Sequence, residues 1–173
     1  MSLIFRKIAG LCPKMLIMAI AIIMLTVSAH AADLERFVRE DYRGNLFHQT
    51  TPQAALAIRD NGFRFPQGGG NIDRYALGLG VYFCENQRDC QRLALHGGQT
   101  IRTEIRLGRY LEIRGGDYNS IHRRLSGGWQ RFRGQLDRIR VDGVIWRDKT
   151  DGSPDEIVVY NPDCIRNAHI VRP

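Results

Sequence analysis

DEIVVYNPDCI, residues 155–165, sets one acid, Glu156, at the head of four β-favouring residues, Ile157-Val158-Val159-Tyr160, and closes the run with Asn161-Pro162. A short apolar run rich in β-branched and aromatic residues and bounded by turn residues reads as a buried strand. Working back from it, the polar stretch RDKTDGSPD, residues 147–155, reads as a turn region, and Gly143-Val144-Ile145-Trp146 as another strand. Two more runs of the same kind lie nearer the N-terminus, Leu46-Phe47-His48-Gln49-Thr50 and Gly80-Val81-Tyr82-Phe83. An imidazole, an aromatic ring and a carboxylate therefore come, in chain order, on three separate strands.

The remaining segments fill in an α+β domain. DLERFVREDY, residues 33–42, has helical spacing at Leu34, Phe37 and Val38, and Gly44-Asn45 breaks it. Thr51-Pro52 supplies a cap residue and then proline at the first helical position, and Asn61-Gly62 ends that helix. Residues 64–80 hold Gly68-Gly69-Gly70 and read as a loop. A helix is expected over residues 86–96, with Cys90, Leu93 and Ala94 inward, then alternating strands over 100–107 and 110–113. Residues 117–125 and 129–139 read as helical, and 168–171 as a last strand. Short strands with interspersed helices imply two small packed sheets with flanking helices.

Length and composition bound the rest. The chain has 173 residues, which suits one domain, and a formal net charge of +7. Arg6, Lys7 and Lys14 precede the apolar run MLIMAIAIIMLTV, residues 15–27, and Ala29 and Ala31 follow at an A-x-A spacing. This is the pattern of a secretory signal peptide over residues 1–31, leaving residues 32–173 as a single exported domain, secreted or periplasmic. The run is short for a membrane span, which needs about 20 apolar residues, so an uncleaved anchor is the weaker alternative. Residues 32–173 carry 21 arginines and one lysine, Lys149. Their mild basicity does not make a nucleic-acid binder, and Arg131, Arg133, Arg138 and Arg140 read as a solvated helix face. Cys84, Cys90 and Cys164 remain after the leader, enough for one disulfide in an oxidising compartment, with the pairing left open. There is no C-x-x-C and no H-E-x-x-H, so no metal is expected.

Taken together, LFHQT at 46–50, the helix end Asn61-Gly62-Phe63, YALGLGVYF at 75–83 and DEIVVYNPDCI at 155–165 resemble the His-Tyr-Glu branch of the ADP-ribosyltransferase superfamily. That branch includes diphtheria toxin and the poly(ADP-ribose) polymerases. The resemblance spans Leu46 to about Ile165. It implies a split β-sandwich and a reaction in which NAD, as substrate, loses nicotinamide through an oxocarbenium-like state resembling that of glycoside hydrolysis. It implies Glu156 as the carboxylate that stabilises the ribose cation, His48 on the adenosine-side ribose, and Tyr82 stacked on nicotinamide. The Gln49 backbone would pair with the carboxamide, Thr50 would steady the strand or reach a ribose, and the 68–75 loop, ending in Tyr75, would cover the dinucleotide. Cys90 and Leu93 stand where many members have a small hydroxyl residue and a second aromatic. Pro154 stands where arginine-modifying toxins usually carry Glu or Gln. The expectation is a secreted mono-ADP-ribosyltransferase acting as a toxin or effector on a macromolecule, chiefly protein, in another cell, with a delivery subunit or secretion machinery as partner. The alternatives are an NAD glycohydrolase on the same fold and a non-catalytic binding module. Taken singly, each site residue has an ordinary reading: His48 as a satisfied polar residue, Tyr82 as core, Glu156 as a solvated strand end.

Overall fold

The computed structural model describes residues 34–65, 77, 79–93, 98–117, 134, 136–149 and 152–171. The chain divides after Arg36 into two compact units, and the sheet belongs to the second, Phe37–Pro173. The expected leader and its cleavage point at Ala31 lie outside the described residues. So do most of the two helices expected over 117–125 and 129–139, of which Gly134 and Leu136–Ile139 are described and helical.

The described strands are β1 (Val38–Thr50), β2 (Val81–Phe83), β3 (Gln99–Arg114), β4 (Gly143–Arg147), β5 (Glu156–Val159) and β6 (Ile165–Ile170), and the helices are α1 (Pro52–Asn61) and α2 (Gln87–Leu93). The architecture is α+β. The strands form one mixed six-stranded network in the order β1-β3-β4-β5-β2, with β6 also on β3. Only β3 and β4 are parallel; the other ladders are antiparallel. A single residue bridge, Phe47 with Cys84, brings β2 back to β1 and curls the sheet nearly shut. Leu46, Phe83, Ile105, Leu107, Ile145 and Ile157 fill the core within that curl, each at most 1% exposed. Cross-strand packing of such residues, not intrinsic propensity, is what holds a sheet of this kind.

The helix expected over residues 33–42 is absent. Leu34 and Glu35 are helical, but β1 begins at Val38. The helical spacing there covered barely one turn. It loses to a ladder in which Val38 to Thr50 pairs with β3, reinforced by an edge-to-face contact of Tyr42 with Tyr110 at 5.7 Å. The two strands expected over 100–107 and 110–113 are one. The Asp142 carboxylate accepts the N–H groups of Gly108 (2.9 Å) and Arg109 (3.2 Å), so β3 crosses its polar midpoint without a turn.

The α1 expectations hold. Thr51 caps the helix, its hydroxyl accepting the Ala54 N–H at 3.2 Å, and Gly62 ends it at φ 76° with its N–H on the Ile58 carbonyl. α2 is helical over its described span, the last residues of the expected helix, 94–96, lying outside the described residues, and its first turn is capped by Asn86, whose side-chain oxygen accepts the Asp89 N–H at 2.9 Å.

Candidate active site

The seam between β1 and β2 organises the site. Phe47 and Cys84 exchange both backbone hydrogen bonds, each 2.9 Å. Backbone groups two residues apart on a strand point to the same edge, so Gln49 and Tyr82 would form the next such pair. They do not. The Tyr82 carbonyl instead accepts a hydrogen bond from His48 Nδ1 at 2.8 Å. The strands thus unzip one step past the bridge, with the Gln49 backbone N–H and C=O on the seam edge and the imidazole set into the gap.

That contact fixes the chemistry of His48. A carbonyl only accepts, so Nδ1 carries the proton and Nε2 of the neutral ring is an acceptor. Burial lowers the His48 pKa below the usual histidine range, an effect the Tyr82 carbonyl partly opposes. The ring lies among Phe63 (5.3 Å between centroids) and Phe83 (5.7 Å). Beside it opens a cavity of about 480 Å³, walled by His48, Tyr82 and Gly80 on the strands and by Ile58, Asn61 and Phe63 at the end of α1. The strand expectation for His48 and Tyr82 therefore holds, and the structure brings both to one cavity.

Tyr82 is held from its far end. Its hydroxyl oxygen accepts the Leu77 N–H at 3.1 Å, and Tyr160 donates its hydroxyl to the Leu77 carbonyl. Leu77 is fully buried, so both of its backbone groups depend on tyrosines. The bend leading into β2 needs glycine. A Cβ on Gly80 would stand 2.5 Å from Val158 Cγ2 and 2.8 Å from the Val159 carbonyl oxygen.

Glu156 opens β5, and its described surroundings do not include the His48 cavity. Tyr82 is paired with Val158, and residues opposite or two apart share a sheet face, so Glu156 and Tyr82 are diagonal neighbours on one face. The Glu156 carboxylate is a fifth exposed, and its Oε2 lies 3.2 Å from Lys149 Nζ. That ammonium sits 4.6 Å over the ring of Trp146, the residue opposite Glu156 in the β4–β5 ladder. The turn between them is pinned by Asp155, whose carboxylate accepts the Asp148 N–H at 2.9 Å and lies 3.4 Å from Arg147, while Arg147 also reaches Glu85 at 2.7 Å.

The other expected residues fare unevenly. Gln49 is on the seam, its side-chain oxygen accepting the Thr100 hydroxyl at 2.6 Å, and Thr50 pairs with Gln99. Cys90 is bonded to Cys84, so it has no S–H for a carboxamide; its sulfur lies 2.8 Å from the Phe47 carbonyl. Tyr75 and the Leu93 side chain lie outside the described residues. Among the described residues, no group of three His, Cys, Asp or Glu is placed to hold a metal ion. Sequence reasoning passed over Lys149 as a site residue, although its being the sole lysine after Lys14 was a visible signal.

No protein-family profile and no curated protein matches the chain. Among solved structures, the chain is similar to one in the crystal structure of the M.tuberculosis MbcT-MbcA toxin-antitoxin complex, at 10% identity and a TM-score of 0.47, covering 83% of this chain and 92% of that one.

Proposed function

We propose that the protein is a secreted, NAD-dependent mono-ADP-ribosyltransferase, a toxin or effector that modifies a macromolecule in another cell after delivery by a partner subunit or secretion machinery. The observation that carries this reading is the unzipped seam. Gln49 offers a backbone donor and acceptor there, Tyr82 stands on the facing strand with its ring lining the His48 cavity, and Glu156 stands diagonally from Tyr82 on the same face. The curled sheet is read accordingly as the split β-sandwich of the family, parted at this seam.

In the reaction the C1′–N bond of the nicotinamide ribose breaks, and both electrons leave with neutral nicotinamide. The cationic C1′ then takes the nucleophilic atom of the acceptor, whose proton passes to solvent. Glu156 stabilises the developing charge through its carboxylate. The Gln49 backbone pairs with the carboxamide, and Tyr82 stacks on the leaving ring. His48 accepts a ribose hydroxyl at Nε2 on the adenosine side, where Thr50 lies close in the strand. Tyr75 and Leu93 complete the enclosure as the resemblance implies. The Cys84–Cys90 disulfide suits an exported protein.

Nicotinamide release from NAD, with and without a eukaryotic lysate, tests the proposal beside Glu156→Ala. Glu156-dependent release with label on a lysate protein is the expected result. Release with free ADP-ribose alone makes the protein an NAD glycohydrolase. No release from folded protein refutes the catalytic reading and leaves a binding module.

A further inference from the structure

We infer that Lys149 is a positioning residue for Glu156, holding one carboxylate oxygen so that the other faces the ribose. The inference rests on the proposed role of Glu156.

Lys149 is the least expected cation in the chain. Its side chain is only 4% exposed, and burying an ammonium is costly unless it is paired. Apart from the histidines, every other basic residue from Ala32 onward is arginine. Arginine presents a planar fork of donors, whereas lysine presents a compact charge with freely turning donors that can approach a single oxygen. That is the contact observed, Nζ to Oε2 at 3.2 Å. The ammonium is seated from below by the Trp146 ring at 4.6 Å, and Trp146 is directly opposite Glu156 across the β4–β5 ladder. Lys149 therefore reaches back from the turn to the carboxylate over a fixed aromatic floor. With Oε2 engaged and Glu156 still a fifth exposed, Oε1 is the oxygen left to meet a hydroxyl of bound NAD.

A stability role alone would be indifferent to this geometry, and the kinetics separate the two. The full chain is compared as wild type, Lys149→Met, Lys149→Arg and Glu156→Ala, each with its melting temperature and with kcat and KM for nicotinamide release. Orientation of a reacting group to within about 1 Å is worth on the order of 100-fold. Folded Lys149→Met is therefore expected to lose about 100-fold in kcat. Its KM should stay near that of wild type, because the contacts to adenosine, phosphates and carboxamide are untouched. Lys149→Arg, which keeps a cation near Glu156, should retain well over the Met variant's kcat. If Lys149→Met does not fold, Lys149→Arg carries the test against Glu156→Ala. A folded Lys149→Met with wild-type kcat, or a folded Lys149→Arg as inactive as Glu156→Ala, overturns the positioning role while wild-type release sustains the proposed function. A wild-type protein that releases no nicotinamide overturns both.

Discussion

Replacing Gly80 by alanine tests how tightly β2 must lie on β5. The added Cβ would stand 2.5 Å from Val158 Cγ2, 2.8 Å from the Val159 carbonyl oxygen and 3.0 Å from Tyr160 Cδ1. Carbon–carbon contacts are comfortable only at about 3.5–4.0 Å, so the strands must part by roughly 1 Å. Val158 is fully buried and the carbonyl belongs to the ladder, so neither can turn aside alone. Overpacking typically costs about 1–3 kcal/mol, and the rigidity of these neighbours puts Gly80→Ala at about 2–3 kcal/mol. A unit of about 140 residues unfolds with an entropy near 0.3 kcal/mol per degree, so the melting temperature should fall by about 7–10 °C. The same parting draws Tyr82 away from Glu156, so nicotinamide release should fall in the folded variant. Gly116→Ala is the control. Among the described residues nothing lies within 4 Å of its added Cβ, and its backbone is not left-handed, so its melting temperature should hold or rise by about 1–3 °C. Equal melting of Gly80→Ala and wild type by circular dichroism would refute the steric argument.

Other outcomes follow from the same contacts. Tyr160→Phe leaves the buried Leu77 carbonyl without its hydroxyl donor and should cost about 1–3 kcal/mol in urea unfolding. His48 is held below its unfolded pKa, so the unfolded chain binds more protons on acidification. Stability should be intact above about pH 6.5 and decline below it, by at most about 1.4 kcal/mol per pH unit. In His48→Gln the drop in urea midpoint between pH 7.5 and 5.5 should shrink; an unchanged drop would acquit the imidazole. Reducing Cys84–Cys90 opens a short loop and should lower stability by about 2 kcal/mol on the chain-entropy view. Burial, and then Asp142, push the Cys164 thiol up to about 12, so an alkylating reagent at pH 8 should mark the Cys164 peptide only after unfolding.

Much of this was legible from residue order. The caps of α1 are local chemistry, and Thr51, Pro52 and Gly62 act where the sequence puts them. β2, β4 and β5 are short apolar runs whose neighbours supply turns, and they stand almost where read. The start of β1 was not legible, because Leu34, Phe37 and Val38 satisfy a helix over one turn while the partner that makes a strand lies some seventy residues away in β3. The continuity of β3 depends on Asp142, which no local window contains. In the site, the three residue types and their strands were readable. The step at which β1 and β2 unzip was not, nor was the ammonium beside Glu156, because both are products of register between distant strands.

The bridge of Phe47 to Cys84 also makes the sheet a ring fastened by one clasp. Every other junction in the circuit is a ladder of several residue pairs, whereas this one rests on two amides and the neighbouring hydrogen bond from His48 to the Tyr82 carbonyl. Undoing it turns a ring into a ribbon without disturbing any other strand. A guest can thus be admitted by loosening one link, and the exchange of those two amides with solvent would time how often the clasp is undone.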